Sequence, residues 1–288
     1  ALASHSATAT PVARDIDSSD TDTPDPEPQT ADDIFLFPGG ARTGDCWHAI
    51  FEKIDFQSDT TTIRDKANAI LNSFNLCKST TPELEQRKRD AAHNMIAAVL
   101  HAPLGTPPDT FSLADIPLTS RRSELTFHFP LRRDTPDPKL SQLADILTAT
   151  WDTPARNQTF IDTIGKSQRT IPLGYLTGSI DLLFHHNNRF YIVDWKSNRL
   201  GGETQNFATS GIAAEMAAHS YYLQYLIYTV AVDGFLRQNL TNYNYDQHFG
   251  GAYYLFLRGV RPNSNHGIFH DRPSATTIAH LTTALTYT

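Results

Sequence analysis

The chain has 288 residues, of which 40% are hydrophobic and 19% are charged, and its formal net charge is −7. This apolar content excludes a fully disordered chain. No run approaches the roughly eighteen apolar residues that a membrane-spanning helix needs. Two cysteines, Cys46 and Cys77, are too few for an iron–sulfur cluster or a disulfide-stapled secreted domain.

The acidity of the chain lies in its first 33 residues. Residues 1–33 are rich in Ser, Thr, Asp and Pro and hold eight acids against one base, whereas 23 acids balance 23 bases in the rest. Such a segment cannot bury enough apolar surface to offset its ordering entropy. We therefore expect a flexible acidic linker over 1–33 and a folded domain over 34–288. The start at Ala1, without a signal-peptide pattern, suggests a fragment of a larger polypeptide.

Hydrophobic periodicity and turn residues predict the secondary structure. The predicted elements are, in chain order, helices over 44–56, 60–78 and 82–101, a strand near 125–129, helical and then irregular residues over 140–165, two strands around Asn187-Asn188, a long helix over 209–239, a strand over 251–260, and a final helix after a loop that follows Arg261. This order predicts an α/β fold with a central mixed sheet flanked by helices.

The two strands around Asn187 and Asn188 are the most informative part of the sequence. Asparagine tolerates the positive φ angles of a two-residue hairpin turn. With the turn placed there, cross-strand partners have numbers that sum to 375, so Asp181 lies opposite Asp194 with Cβ atoms about 4.5–5.5 Å apart. Side chains two apart on a strand share a face, so Lys196 lies beside Asp194.

Two facing carboxylates need an explanation, because like charges opposite each other on paired strands are destabilising. One carboxylate could stay protonated, the lysine could pair with both, or a divalent cation could lie between them. A hard cation such as Mg²⁺ takes oxygen ligands, polarises phosphoryl oxygens and lowers the pKa of bound water. On geometry alone, a buried ion triad that only fixes the strand register is the competing interpretation.

The motifs around this hairpin resemble a known family. Gly178-x-x-Asp181 followed by Asp194-x-Lys196-Ser197 is similar to the signature of the PD-(D/E)xK nucleases. Three further features resemble the RecB-like branch of that family: Gly44-x-x-x-His48 on an upstream helix, Glu124 before the hairpin, and Gln224-x-x-x-Tyr228 on a downstream helix. The likeness covers about residues 35–275. It implies a restriction-endonuclease-like core, with the mixed sheet and flanking helices already expected.

The resemblance implies a magnesium-dependent hydrolase that cuts single- and double-stranded DNA. The implied metal ligands are His48, Asp181, Asp194 and the backbone carbonyl of Trp195. The implied catalytic residues are Lys196, Asp181 and Asp194, with Glu124 as an acidic helper near the metal. Gln224 and Tyr228 match residues that line the DNA path or brace the site. Because imidazole suits manganese better than magnesium, we expect Mn²⁺ to support activity as well.

The resemblance also implies partners and leaves alternatives. The implied partners are DNA, the helicase portion of the same polypeptide, RecC- and RecD-like subunits and the recombinase RecA, in a bacterial cytoplasm at the nucleoid, with no membrane. Gly165-Lys166-Ser167 resembles the end of a phosphate loop, but Phe160 replaces its first glycine, so we expect no nucleotide site. An AddB-like nuclease would need iron–sulfur cysteines. A catalytically silent nuclease fold that docks DNA or RecA remains the other interpretation.

Overall fold

A computed structural model describes residues 33–130, 139–170, 175–262 and 264–286. The predicted linker therefore lies outside the described residues except for Asp33, which begins a short 3-10 turn, Asp33–Leu36. Ile34, Phe35 and Phe37 are already buried in the core.

A five-stranded mixed sheet forms the centre of the described structure. Its strands are β1 (Arg121–Pro130), β2 (Tyr175–His186), β3 (Arg189–Lys196), β4 (Phe249–Phe256) and β5 (Ile268–Asp271). They lie side by side in the order β1-β2-β3-β4-β5. β3 and β4 are parallel, and the other neighbouring pairs are antiparallel. The predicted α/β class with a mixed sheet is confirmed, and it fits a core of the PD-(D/E)xK nuclease type.

Helices pack around this sheet. In the described ranges they are α1 (Ala41–Lys53), α2 (Thr60–Ser73), α3 (Pro82–His101), α4 (Leu140–Thr150), α5 (Gln158–Gly165), α6 (Thr209–Ala218), α7 (Tyr221–Asn239), the single turn α8 (Tyr245–His248) and α9 (Ala275–Leu285). No helix in these ranges is long and apolar enough to cross a membrane.

The helices begin and end where local chemistry predicts. Asp59 accepts a hydrogen bond from the backbone N–H of Thr62 at the start of α2, and Thr81 caps α3 in the same way. α2 ends at Ser73, before the predicted 78, and Asn75 follows in the left-handed conformation with φ 52°. Asparagine tolerates that conformation, which stops a helix.

The prediction of one long helix over 209–239 is wrong. α6 ends at Ala218 and α7 begins at Tyr221, because Ser220 adopts a left-handed conformation with φ 58°. The sequence also predicts a loop where the short strand β5 lies, and the structure corrects this prediction. It pairs with β4 from Ala252 opposite Asp271 to Leu255 opposite Ile268.

β3 lies between two helices that cover its opposite faces. The ring of Trp195 stacks on Phe51 of α1, with centroids 4.5 Å apart. Its neighbour Lys196 lies over the ring of Tyr221 on α7. Successive side chains of a strand point to opposite faces, so the C-terminal end of β3 is enclosed by α1 on one side and α7 on the other.

A buried arginine joins this end of β3 to the first described residues. Arg258, which is 1% exposed, donates hydrogen bonds to the backbone carbonyls of Ser197 at 2.9 Å, Phe37 at 2.9 Å and Ile34 at 3.2 Å. A buried guanidinium needs such acceptors because an unsatisfied buried charge is very costly. The N-terminal segment is thereby packed directly behind the loop that follows Lys196.

Candidate active site

The hairpin of β2 and β3 has the predicted register. Asn187 and Asn188 form the turn with φ angles of 46° and 62°. The paired residues run from His186 opposite Arg189 to Leu182 opposite Val193, and their numbers sum to 375. Continued by one step, this register sets Asp181 opposite Asp194. The two carboxylates of the sequence motif therefore lie at the open end of the hairpin.

The side chain of Asp181 takes part in the hydrogen bonding between β2 and β3. Its Oδ2 accepts a hydrogen bond from the backbone N–H of Trp195 at 2.8 Å. Hydrogen-bonded pairs alternate along an antiparallel ladder, so an uninterrupted hairpin would have offered the carbonyl of Ile180 to that N–H. The strands separate here, and a carboxylate fills the space between them.

Glu124 lies on the other side of Asp181. β1 and β2 pair Ser123 with Leu182 and Leu125 with Ile180, so Glu124 is in register with Asp181 at the step between them. Its backbone is left-handed, with φ 51°, a conformation that costs energy for a residue with a Cβ atom. Its Oε2 accepts a hydrogen bond from Ser179 Oγ at 3.0 Å.

His48 reaches the same point from α1. Its Nδ1 lies 3.3 Å from Asp181 Oδ1, and its Nε2 lies 3.0 Å from the backbone oxygen of Trp195. Burial by itself lowers the pKa of His48, but the carboxylates of Asp181 and Asp194 outweigh burial and raise the pKa to about 9. At neutral pH the imidazole is therefore protonated in the metal-free protein and donates from both nitrogens.

Lys196 and Asp194 form a buried ion pair. Lys196 Nζ lies 2.9 Å from Asp194 Oδ2, and the two residues are 3% and 4% exposed. Nζ also donates to Gln224 Oε1 at 3.3 Å. Gln224 Nε2 in turn donates to the hydroxyl of Tyr228 at 3.1 Å. The Gln224-x-x-x-Tyr228 motif thus contacts the lysine from α7.

The donor set fits a divalent cation. His48, Glu124 and Asp181 each offer one ligand atom, and these atoms all lie within 4.8 Å of one another. Two carboxylates suit Mg²⁺ or Mn²⁺, and the imidazole favours Mn²⁺ of the two. The grouping differs in one respect from the set that the sequence suggested, because Glu124 joins His48 and Asp181 while Asp194 is paired with Lys196.

These groups line a cavity of about 380 Å³. Residues of α1, β1, β2, β3 and α7 contribute to its lining. The further polar groups on its wall include Asp45 and Glu52 of α1, Ser197 and Asn198. The cavity combines a cluster of side chains whose geometry fits a cation with a buried lysine, and such an arrangement could hold and polarise an anionic ester.

The sequence analysis assigned no role to three further residues of the site, which are Tyr254, Asn198 and Tyr221. Tyr254 pairs with Asp194 across the parallel strands β3 and β4, and its hydroxyl donates to Gln224 Oε1 at 2.8 Å. Asn198 donates to the hydroxyl of Tyr221 at 3.1 Å. Tyr221 precedes Gln224 by three residues and so lies on the same face of the helix. This spacing is the sequence pattern that could have indicated a role for Tyr221.

Comparison of the sequence with known proteins finds several similar proteins. No protein-family model matches the chain. The chain is 33% identical over 246 residues to the RecBCD enzyme subunit RecB of Escherichia coli (strain K12), which covers 84% of this chain and 19% of that protein. It is 30% identical over 257 residues to the Haemophilus influenzae RecBCD enzyme subunit RecB. The Mycobacterium tuberculosis (strain H37Rv) RecB subunit is 32% identical over 166 residues, 55% of this chain. The chain spans about a fifth of the length of the first two relatives.

Proposed function

The chain is a RecB-like domain, similar over most of its length to RecB subunits of RecBCD enzymes, and from that premise we propose that it is a metal-dependent deoxyribonuclease. The reaction is hydrolysis of phosphodiester bonds in single- and double-stranded DNA. The observation that carries the proposal is the convergence of His48, Glu124 and Asp181 at one point, beside the buried pair of Asp194 and Lys196.

Residues from four elements of the fold, α1, β1, β2 and β3, would hold the metal. The proposed ligands are His48, Asp181, Asp194 and the backbone carbonyl of Trp195, with Glu124 as a further carboxylate of the same cluster. A bound Mg²⁺ or Mn²⁺ supplies Lewis acidity toward the phosphate and lowers the pKa of water. The carboxylates bind the cation through hard oxygen donors, and the imidazole is the donor that favours manganese.

Lys196 acts on the reacting groups directly. Its ammonium carries three donors and is 3% exposed, so its field acts in a medium of low dielectric constant. From this position it orients the attacking water and stabilises the negative charge that develops on the phosphate. Gln224 and Tyr228 brace the lysine through the hydrogen bonds from Nζ to Gln224 and from Gln224 to Tyr228. Lining the path of the DNA is the alternative role for these two residues.

The relatives are subunits of a larger enzyme, so we place this domain in the same setting. The proposed assembly contains a helicase portion of the same polypeptide and RecC- and RecD-like subunits, and it docks RecA. It acts in recombinational repair of double-strand breaks in the bacterial cytoplasm. Residues 34–288 carry as many bases as acids, so phosphate contacts are few and cleavage by this chain alone is weak and sensitive to salt.

The test is cleavage of an end-labelled linear single-stranded DNA by this chain in low salt, with Mg²⁺ or Mn²⁺. We expect metal-dependent cutting that disappears in Asp194→Ala and in Lys196→Ala. Lys166→Ala is the matched control, because Lys166 is an exposed lysine outside the cavity lining. Folding of each variant is checked by circular dichroism. A folded parent protein that cuts under neither metal would instead support a catalytically silent docking module.

A further inference from the structure

We infer that Tyr221 and Tyr254 are positioning residues for Lys196, a role that rests on the proposed nuclease function. The ammonium of Lys196 lies 3.7 Å from the ring centroid of Tyr221 and 5.2 Å from that of Tyr254. The two rings are 5.9 Å apart. They form an aromatic cage around Nζ, and hereafter the term cage means these two rings.

The cage helps to compensate for the loss of hydration of the buried ammonium. A charged group that leaves water requires strong compensating interactions. Asp194 supplies one at 2.9 Å and Gln224 a second at 3.3 Å. The negative face of an aromatic ring supplies another, which is strongest when the cation is desolvated. Lys196 is 3% exposed, so its ammonium is desolvated and the interaction with the rings is strong.

Both rings are held in place by hydrogen bonds. The hydroxyl of Tyr221 accepts from Asn198 Nδ2 at 3.1 Å, and Asn198 Nδ2 also donates to Glu215 Oε1 at 2.9 Å. The hydroxyl of Tyr254 donates to Gln224 Oε1, the same oxygen that accepts from Lys196. Each wall of the cage is therefore fixed to a polar group of the site as well as packed in the core.

The cage matters because the carboxylate of Asp194 would interact with two cations. In the structure Asp194 pairs with Lys196, and under the proposed function it also binds the metal. A metal ion bound at Asp194 would repel the nearby ammonium, so the carboxylate alone would hold Nζ less firmly. The rings do not bind the metal, so they continue to hold Nζ where it faces the reacting phosphate. Loss of a ring should lower kcat while the affinities for metal and DNA stay unchanged.

The competing explanation is that Tyr221 only fills the core. Tyr221→Phe and Tyr221→Leu separate the two, because Phe keeps a ring beneath Nζ and Leu keeps only apolar volume. We expect Tyr221→Leu to lower kcat by about 10- to 100-fold with KM for DNA and Mn²⁺ affinity within about twofold of the parent. Tyr221→Phe should remain within about threefold in kcat. Tyr254→Leu should show a smaller loss, since its ring is farther from Nζ.

Tyr222→Leu is the matched control for packing. Tyr222 is the next residue of α7, is 1% exposed, and packs against Trp151 and Phe160 instead of Lys196. It should lose stability while keeping kcat when assayed well below its melting temperature. An equal loss of kcat in Tyr222→Leu, or a parental kcat in Tyr221→Leu, would overturn the role of the cage.

A second readout does not depend on cleavage. Reductive methylation of Lys196, followed by peptide mass spectrometry in EDTA, reports how firmly Nζ is held. We expect methylation at least tenfold faster in Tyr221→Leu than in the parent, and parental rates in Tyr221→Phe and Tyr222→Leu. If the parent proves to have no nuclease activity, the proposed function fails and methylation alone decides the cage. Equal rates in the parent and in Tyr221→Leu would then refute it.

Discussion

The carboxylate of Asp181 accepts a hydrogen bond from the backbone N–H of Trp195 through Oδ2, at 2.8 Å, and faces His48 Nδ1 through Oδ1, at 3.3 Å. One side chain thus both closes the gap where β2 and β3 separate and anchors the imidazole of α1. Because Glu124 is in register with Asp181 on its other side, the break in the sheet coincides with the cluster of His48, Glu124 and Asp181.

The first prediction concerns the protonation of His48 in metal-free protein. Burial lowers its pKa, but the carboxylates of Asp181 and Asp194 raise it to about 9, above the ordinary value of about 6.5. The folded state therefore binds the proton more tightly than the unfolded state does. The resulting stability is fully present below pH 6.5 and is lost as the pH rises through about 9.

Urea unfolding in EDTA measures this effect against His48→Gln, which removes the titrating group. The difference in unfolding free energy between the parent and the variant should shrink as the pH is raised from 6.5 to about 9.5. Nuclear magnetic resonance of the imidazole should place its midpoint near pH 9. A midpoint near 6.5 would show that the Asp181 carboxylate does not hold the proton on His48.

The second prediction concerns the left-handed backbone of Glu124, whose φ is 51°. A Cβ atom in this conformation costs about 1–2 kcal/mol, and glycine avoids that cost. Glu124→Gly should therefore be more stable than Glu124→Ala by about 1 kcal/mol, although both lose the carboxylate. In an ordinary strand the order is the reverse, because glycine loses more backbone entropy on folding.

Thr126 of the same strand is the control for that pair. It lies two residues along β1, opposite Ser179, without a positive φ. Thr126→Ala should be more stable than Thr126→Gly by roughly 0.5–1 kcal/mol. If urea unfolding gives the same order at both positions, Glu124 does not adopt a left-handed conformation in solution.

The third prediction is that divalent cations stabilise the folded protein. A ligand that binds only the native state adds about 2.7 kcal/mol to the unfolding free energy at a concentration of 100 times Kd. We expect Mn²⁺ and Mg²⁺ to raise the melting temperature, with loss of the effect in Asp181→Asn and a reduced effect in Glu124→Gln. Glu52→Gln is the control, because Glu52 lines the same cavity outside the cluster of ligand atoms. If Glu52→Gln lost as much of the cation-dependent rise in melting temperature, the cation would be attracted only by the overall negative charge of the cavity.

Much of the site could be predicted from the sequence because a short turn fixes it. Asn187 and Asn188 set the register of the hairpin, and a two-residue turn leaves little freedom for slippage. That register alone brings Asp181 near Asp194 and sets Lys196 beside it. The helix that carries His48 was likewise predictable, because Trp47 and Ile50 mark its buried face.

Other features of the fold and of the site depend on tertiary contacts, which local sequence patterns do not predict. Apolar residues are spread around the helix axis over the sequence from 209 to 239, so periodicity offers no boundary at Ser220. β5 has four residues, too few for alternation to identify. The left-handed Glu124 interrupts the pairing of β1 with β2, and Tyr254 reaches Lys196 through the pairing of β3 with β4. These parts follow from tertiary packing.

The last prediction concerns Gly178, the glycine of the first motif. A Cβ atom at this position would lie 2.7 Å from the ring of Phe127 and 3.3 Å from that of Tyr228. Gly178→Ala must therefore displace Phe127, and such overpacking costs roughly 1–3 kcal/mol. Phe127 packs edge-on against Tyr228, with centroids 5.4 Å apart, and Tyr228 accepts from Gln224, which contacts Lys196. We expect the single-turnover rate of DNA cleavage to fall as well.

Gly202→Ala is the matched control, because a Cβ atom there would meet nothing within 4 Å. It should leave both stability and cleavage close to those of the parent. Both variants are assayed with saturating metal and DNA at a temperature where circular dichroism shows them folded. If Gly178→Ala loses stability but cleaves at the parental rate, Phe127 and Tyr228 serve packing alone. If it loses neither, the ring of Phe127 does not rest on Gly178, and the glycine of this motif needs another explanation.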